Sequence, residues 1–179
     1  GYGNRQPDGS EETLTLPESA IVLQRGEGSY VSIGTGTRCT FKVSGKDTDG
    51  HFGLFEYTME PETEGPRRHI HHEMVEIFYV LEGEIELIIG DQTVTAQAGA
   101  TALVPKEAVH AFSNPGSQRS ILLIMFCPAD SREKYFEGLA ELTKGGQRPD
   151  PHALLELMRK YDTEPVAEPV YGGPDTENP

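Results

Sequence analysis

The chain has 179 residues, of which 36% are hydrophobic and 25% are charged, and its formal net charge at pH 7 is −14. This size and apolar content predict one domain with a core of its own and some polar tail. The acidic balance disfavours nucleic acid and anionic membranes as partners, and no apolar stretch reaches the roughly 18–20 residues that a membrane span needs.

Residues 1–15 are polar and aperiodic, which predicts a mobile N-terminus. No basic and then apolar signal segment opens the sequence. Cys39 and Cys127 lie far apart in strand-like contexts, and we interpret them as buried free thiols, with a single disulfide as the alternative. These features favour a reducing, cytoplasmic location.

Residues 16–130 consist mainly of short apolar or alternating runs separated by turn signals. The runs are SYVSI, CTFKVS, FGLFEYTM, EIFYVL, EIELIIG, QTVTA, TALVP, HAFSN and SILLIMF. Regular short strands with glycine, proline and asparagine between them are typical of an all-β sandwich or small barrel. Strands do not alternate with helices, which argues against a doubly wound sheet.

Two helices are predicted over residues 131–161. The first begins at a capping residue, Asp130 or Ser131, and the second begins at Asp150 as cap with Pro151 in its first turn. Apolar residues recur at helical spacing in both, so we expect both helices to cover one side of the β-core. Residues 162–179 are rich in proline and acids, which predicts an extended or disordered tail.

Histidines precede the most strand-like segment, in HIHHEMVEIFYVLEG (residues 69–83). His69 and His71 are two apart on an extended segment, so their side chains point to the same face. Glu76 follows at an odd separation and can join them only if the chain bends or bulges in between. His110, after a proline turn, is a fourth candidate. The alternative is that these are ordinary surface or turn histidines.

Two histidines and a carboxylate, with or without a third histidine, suit iron, manganese, cobalt, nickel or copper. The absence of cysteine ligands disfavours a structural zinc site. His72 points away from His71 on a strand, so we expect it outside the ligand set. Arg67 and Arg68 are interpreted as a solvated pair, with contact to an anionic substrate as the alternative.

At these residues the sequence resembles a single-domain cupin. The first cupin motif, G-x5-H-x-H-x3,4-E-x6-G, is matched by His69, His71, Glu76 and Gly83. The leading glycine departs from the pattern, because Gly65 stands two residues nearer to His69 than the motif requires.

The second cupin motif, G-x5-P-x-G-x2-H-x3-N, is matched by Gly99, Pro105, His110 and Asn114, while Glu107 replaces its middle glycine. The resemblance covers residues 50–127. It implies a cupin-type jelly-roll small barrel with the two helices packed outside. It also implies one divalent first-row metal ion (Ni, Mn, Co, Fe or Cu). The ligands would be His69, His71, Glu76 and His110.

The block GPRRHIHHEMVEIFYVLEGEIEL with a helical C-terminal extension is similar to the bacterial flavonol (quercetin) dioxygenase-like monocupins. This resemblance implies a metal-dependent dioxygenase that cleaves a flavonol or related enolic aromatic with O2, with Glu76 as the base. Cupins have many functions. The alternatives are a non-redox metal-dependent isomerase or cyclase, and a non-catalytic ligand-binding cupin.

Three apolar residues are expected to line the substrate pocket, with ordinary barrel core as the alternative. Phe78 and Val80 share the face of Glu76 on one strand, and Phe112 shares the face of His110 on another. The opposite face of the first strand is apolar too, at Ile77, Tyr79 and Leu81. This predicts a strand buried on both faces, by the second sheet, the C-terminal helices or a partner subunit, and since cupins often pair through sheet faces, we expect a homodimer.

Overall fold

The computed structural model describes residues 20–167. The predicted mobile N-terminus, residues 1–15, lies outside the described residues, and so does most of the predicted tail. No helix within 20–167 has the length and the apolar character to cross a membrane.

The described part of the chain is mainly β-structure. Its strands are β1 (Tyr30–Ile33), β2 (Thr37–Val43), β3 (Gly53–Met59), β4 (Thr63–Glu64), β5 (His69–Ile70), β6 (Val75–Glu82), β7 (Glu84–Ile89), β8 (Gln92–Gln97), β9 (Thr101–Val104), β10 (His110–Asn114), β11 (Ser120–Cys127) and β12 (Glu164–Pro165). The helices are α1 (Arg132–Leu142) and α2 (Pro151–Lys160), with 3-10 turns at Gly45–Thr48 and Lys144–Gly146.

The strands form two antiparallel sheets that pack face to face. The first sheet has the order β1-β2-β3-β11-β6-β9, and the second has the order β12-β5-β10-β7-β8, with β4 also pairing with β10. Alternating side chains of both sheets fill the space between them, and Phe78 of β6 meets Phe112 of β10 with ring centroids 5.2 Å apart. This is the jelly-roll barrel that the sequence predicted.

Both predicted C-terminal helices are confirmed, and they pack on the barrel. The Asp150 carboxylate accepts a hydrogen bond of 2.9 Å from the N–H of Ala153 and so caps α2. Phe136 of α1 belongs to the core and lies 4.8 Å from Phe55 between ring centroids. Leu157 of α2 packs against the same core, so the helices cover one side of the barrel.

One sequence expectation on burial is corrected by the structure, and another stays a prediction. On the outer face of β6, Tyr79 is 40% exposed within one copy of the chain, so burial of that face by a partner subunit stays a prediction. Cys39 and Cys127 are both free, but only Cys39 is buried, because Cys127 ends β11 at the surface.

The two positions that depart from the cupin motifs both shape the backbone near the histidines. Gly65 passes so close to β10 that a Cβ there would lie 2.1 Å from the carbonyl oxygen of Phe112. Glu107 adopts φ +66°, the left-handed conformation that a glycine would take without strain. Its N–H donates a 2.8 Å hydrogen bond to the carbonyl of His71. The turn therefore forms although glutamate stands where the motif has glycine.

Candidate metal centre

Four residues from three strands and one loop converge inside the barrel. His69 lies on β5 and is the antiparallel partner of His110 on β10. His71 follows β5, and residues 72–74 then bend before β6 begins. This bend supplies the change of direction that the odd spacing required, and it brings Glu76 to the side of the histidines. Glu76 sits on β6, which lies between β11 and β9 in the first sheet.

The donor atoms of these four residues lie close enough to share one ion. One ligand atom from each of His69, His71, Glu76 and His110 lies within 4.8 Å of all the others. Glu76 Oε2 is 2.9 Å from His71 Nε2 and 2.7 Å from His110 Nε2. All four side chains are at most 3% exposed, so water does not screen their charges.

Each histidine is oriented by a backbone carbonyl behind it. The Nδ1 atoms of His69, His71 and His110 lie 2.7 Å from Arg67 O, 2.7 Å from Asp162 O and 2.9 Å from Ala108 O. A carbonyl oxygen only accepts, so this network assigns the ring hydrogen to Nδ1 in all three rings. The Nε2 atoms therefore turn their lone pairs toward the centre of the cluster.

This arrangement requires a cation among the four residues. The Glu76 carboxylate only accepts hydrogen bonds, and a neutral imidazole with its hydrogen on Nδ1 has only a lone pair at Nε2. At the observed 2.7 and 2.9 Å, lone pairs would face lone pairs unless a proton or a metal ion lies between them. Three neutral imidazoles and one carboxylate are a donor set that first-row divalent metals accept. The residues present therefore fit a metal ion.

The electrostatics of the metal-free site follow from the same contacts. Burial alone would raise the pKa of Glu76, but hydrogen bonds from His110 and His71 outweigh burial and lower it well below its usual range. Burial opposes charge on His110, yet its hydrogen bond to Glu76 raises the pKa above 6.5. Burial and then the charge of His110 lower the pKa of His69 to about 3. A proton on His110 therefore balances the carboxylate when no metal is bound.

The predicted pocket residues lie in the core. Phe78, Val80 and Phe112 are at most 5% exposed and belong to the core cluster. A cavity of about 700 Å³ lies elsewhere, on the outer face of the first sheet, and is lined among others by Arg38 and Arg119. That Phe78, Val80 and Phe112 line a substrate pocket stays a prediction.

His72 and Arg67 are exposed, whereas Arg68 is half-buried. The His72 ring is exposed and contacts the Glu107 carboxylate at 3.1 Å, outside the four-residue cluster. Arg67 is exposed and contributes its carbonyl to the site. Arg68 Nη1 donates to the Gly90 carbonyl at 3.0 Å.

Two residues near the site were missed by sequence reasoning. Asp162 follows α2 and contacts His71 and the bend at residues 72–74. Arg132 opens α1, is 3% exposed, and stacks on the ring of Tyr135 at 3.9 Å. An acid in a proline-rich segment and a basic residue at a helix start carry no local signal for such contacts.

Comparison with known proteins supports the fold. Residues 55–126 match the family described as Cupin domain. No curated protein matches the sequence.

Several solved structures resemble the chain. One is described as a predicted oxalate decarboxylase from Thermotoga maritima, with TM-score 0.55 and 18% identity over 60% of this chain and 98% of that chain. KdgF from Halomonas sp. gives TM-score 0.53 and 14% identity over 61% and 93%. The polyketide cyclase RemF from Streptomyces resistomycificus gives TM-score 0.53 and 22% identity over 61% and 80%. At these identities the likeness establishes a cupin fold for this chain.

Proposed function

We propose that this cupin-fold protein is a metal-dependent dioxygenase that cleaves a flavonol or a related enolic aromatic with O2. One observation supports the metal centre. The Nε2 atoms of His71 and His110 converge on Glu76 Oε2, while the Nδ1 atoms of His69, His71 and His110 are all bonded to backbone carbonyls. The choice of a flavonol rests on the likeness of the histidine-rich block to flavonol dioxygenase-like monocupins.

The ligands of the ion would be His69, His71, Glu76 and His110, which together offer three imidazole nitrogens and one carboxylate. When bound, a divalent first-row metal ion supplies positive charge that favours a deprotonated enol and serves as a template for enol and O2. The ring hydrogens held by backbone carbonyls keep the histidines in the tautomer that binds metal.

Glu76 is the residue that we assign as the base. Its lowered pKa keeps the carboxylate free of protons, so it can accept the proton of the substrate's 3-hydroxyl group. A carboxylate with a low pKa is a weak base, so proton transfer to Glu76 would depend on a bound metal ion lowering the pKa of the substrate's hydroxyl group. The same proton can later be returned to the carboxyl product.

The barrel interior around the site is apolar, which is the kind of lining that an aromatic ligand requires. The barrel interior is rich in aromatic rings, and Tyr57 lies 5.6 Å from Phe112 between ring centroids. In the proposed reaction both atoms of O2 enter the product. Two carbon–carbon bonds of the central ring break, and the carbon between them leaves as carbon monoxide. O2 is the only oxidant required.

Oxygen consumption tests this proposal. The protein is purified without chelators, its metal content is measured, and dissolved O2 and carbon monoxide are followed with quercetin and other enolic aromatics. Stoichiometric metal with one O2 consumed per carbon monoxide released supports the dioxygenase. Conversion of substrate without O2 uptake would instead identify a non-redox isomerase or cyclase. A metal-free protein that binds ligand without converting it would identify a binding cupin.

A further inference from the structure

We propose that residues 161–166, here called the C-terminal strap, are a positioning segment that sets the metal affinity of the barrel. The strap follows α2 and lies against the segment that carries His69 and His71. This inference rests on the metal centre proposed above, and it concerns residues that belong to neither cupin motif.

The first contact of the strap fixes one candidate ligand directly. The Asp162 carbonyl accepts the Nδ1 hydrogen of His71 at 2.7 Å, across 91 positions of sequence. The other two histidines receive this support from carbonyls only two residues away in sequence, those of Arg67 and Ala108. His71 therefore depends on a remote segment for the orientation that its neighbours obtain locally.

The side chain of Asp162 holds the bend between His71 and Glu76. Its carboxylate accepts hydrogen bonds from the backbone N–H groups of His72 at 2.8 Å, Glu73 at 2.9 Å and Met74 at 3.1 Å. Three hydrogen bonds to one ionised carboxylate are stronger than three neutral ones. The bend decides whether Glu76 faces the histidines, so Asp162 helps to position both His71 and Glu76.

The strap also pairs with the strand that carries His69. In β12, Pro165 is the partner of His69 and Glu164 is the partner of Ile70. The N–H of Val166 donates to the Arg68 carbonyl at 3.0 Å. β5 is thus enclosed between β10 and β12, and movement of the strap would move the backbone of His69.

Buried contacts hold the strap itself in place. Arg132 Nη1 donates to the Tyr161 carbonyl and to Thr163 Oγ1, both at 2.8 Å. Arg132 and Thr163 are 3% and 2% exposed. The guanidinium stacks on the Tyr135 ring at 3.9 Å and lies 4.6 Å from the Phe126 centroid. These contacts connect α1 to the strap and leave it little freedom.

Coupling between the strap and the metal must be reciprocal. If the strap in its observed position raises metal affinity, bound metal stabilises the strap by the same free energy. Metal binding should therefore slow amide hydrogen exchange in residues 72–74 and 161–166. Bound metal slows exchange wherever amides open by global unfolding, so a segment with only a structural role would slow no more than a strand remote from the site, such as β8.

Asp162→Ala removes the carboxylate and keeps the carbonyl, and it is tested with Co2+ as the probe. We expect the Kd for Co2+ to rise, by up to the about 10–100-fold that is typical of changes behind a ligand, because the bend that directs Glu76 loses three hydrogen bonds and no longer holds the Asp162 carbonyl firmly behind His71. The visible absorption of bound Co2+ should also change, because its ligands are held less firmly. Asp162→Asn keeps one acceptor oxygen and tolerates the left-handed φ of +48°, so it should restore part of the affinity.

Asp150→Ala is the matched control. Asp150 also accepts a backbone N–H, but it caps α2 and lies outside the site. It should lower the melting temperature and leave the Kd for Co2+ unchanged. Thr163→Val, which removes one Arg132 contact at a distance from the ligands, supplies a second strap variant if Asp162→Ala does not fold, and it should weaken Co2+ binding in the same direction.

The outcomes separate this inference from the proposed function. If wild-type protein does not bind Co2+, the metal centre and the inference both fail. If wild-type protein binds Co2+ and the strap variants bind it equally well, only the inference is overturned. Hydrogen exchange of residues 161–166 that slows no more than that of β8 on Co2+ addition would overturn it as well.

Discussion

His69 and His110 are directly opposed partners on neighbouring antiparallel strands, and their ring centroids lie 4.2 Å apart. Two imidazolium ions at this distance in a buried site would repel each other strongly. Burial is the main cause of the low pKa of His69, and the charge of His110 lowers it further. The two rings can bind the same metal ion, but they cannot both be protonated.

Replacing His110 should abolish tight metal binding. We expect His110→Gln to raise the Kd for Co2+ by more than the about 10–100-fold that is typical of changes behind a ligand. His72→Gln is the control, because its ring is exposed and outside the cluster. Calorimetric titration of both variants measures the difference. Equal affinities in the two variants would exclude His110 as a ligand.

Glu76→Gln should fold and lose turnover. The amide has nearly the shape of the carboxylate but cannot accept the substrate proton, and removal of a general base typically costs about 10²–10⁴-fold in rate. Initial rates of O2 uptake and circular dichroism test activity and fold, and metal analysis reports occupancy. Unchanged turnover with metal still bound would show that another group is the base.

The metal-free protein should lose stability as the pH falls below 6.5. The folded pKa of His69 is about 3, whereas the ordinary value is 6.5. Between these values the unfolded chain binds a proton that the folded chain does not, so the free energy of unfolding decreases on acidification. The raised pKa of His110 affects stability in a different pH range. Its contribution to the free energy of unfolding is fully present below pH 6.5 and is lost as the pH rises through the folded pKa.

Urea denaturation of chelator-treated protein across this pH range measures the effect. His69→Gln removes the titrating group, so its free energy of unfolding should depend less steeply on pH between about 3 and 6.5. Identical slopes in wild type and His69→Gln would contradict the assignment.

Gly65→Ala should destabilise the fold. The added Cβ would lie 2.1 Å from the Phe112 carbonyl oxygen, so the backbone of β10 or of the Gly65 segment must move. Overpacking of this kind costs about 1–3 kcal/mol. Gly116→Ala is the control, because the nearest atom to its Cβ is Asn114 Oδ1 at 3.4 Å, an ordinary contact. Thermal melts should show a clear loss only for Gly65→Ala.

The exposed outer face of the first sheet predicts a homodimer. Leu103 of β9 is 62% exposed, and it is the strand partner of Ile77 of β6, next to exposed Tyr79. Leu103→Asp should shift the protein toward monomer in light scattering after gel filtration. Val94→Asp, on the second sheet and 46% exposed, should remain dimeric. A monomeric wild type would refute the expectation.

The longer strands were predictable because alternation needs several residues to become visible. The nine apolar runs in the sequence correspond to β1–β3 and β6–β11. The strands β4, β5 and β12 have two residues each, which is too few for a periodic pattern. Their positions depend on which strand edges of the folded barrel are free to pair with them.

The clustering of His69, His71, Glu76 and His110 followed from spacing and motif, but the support behind His71 did not. Strand geometry indicated that His69 and His71 share a face, whereas the motif resemblance joined Glu76 and His110 to them. The contact from Asp162 spans 91 positions, and nothing in the residues around Asp162 indicates its partner. Contacts of that kind come from the way α2 packs on the barrel.

The proline in β12 has a consequence for association between molecules. Because the N–H of Val166 points to β5, the backbone nitrogen of Pro165 points away from the sheet, and it carries no hydrogen. The second sheet therefore ends on a short strand with no donor at that position, which discourages edge-to-edge addition of another chain. A protein cut before residue 164 would expose the edge of β5 and should aggregate more readily on storage.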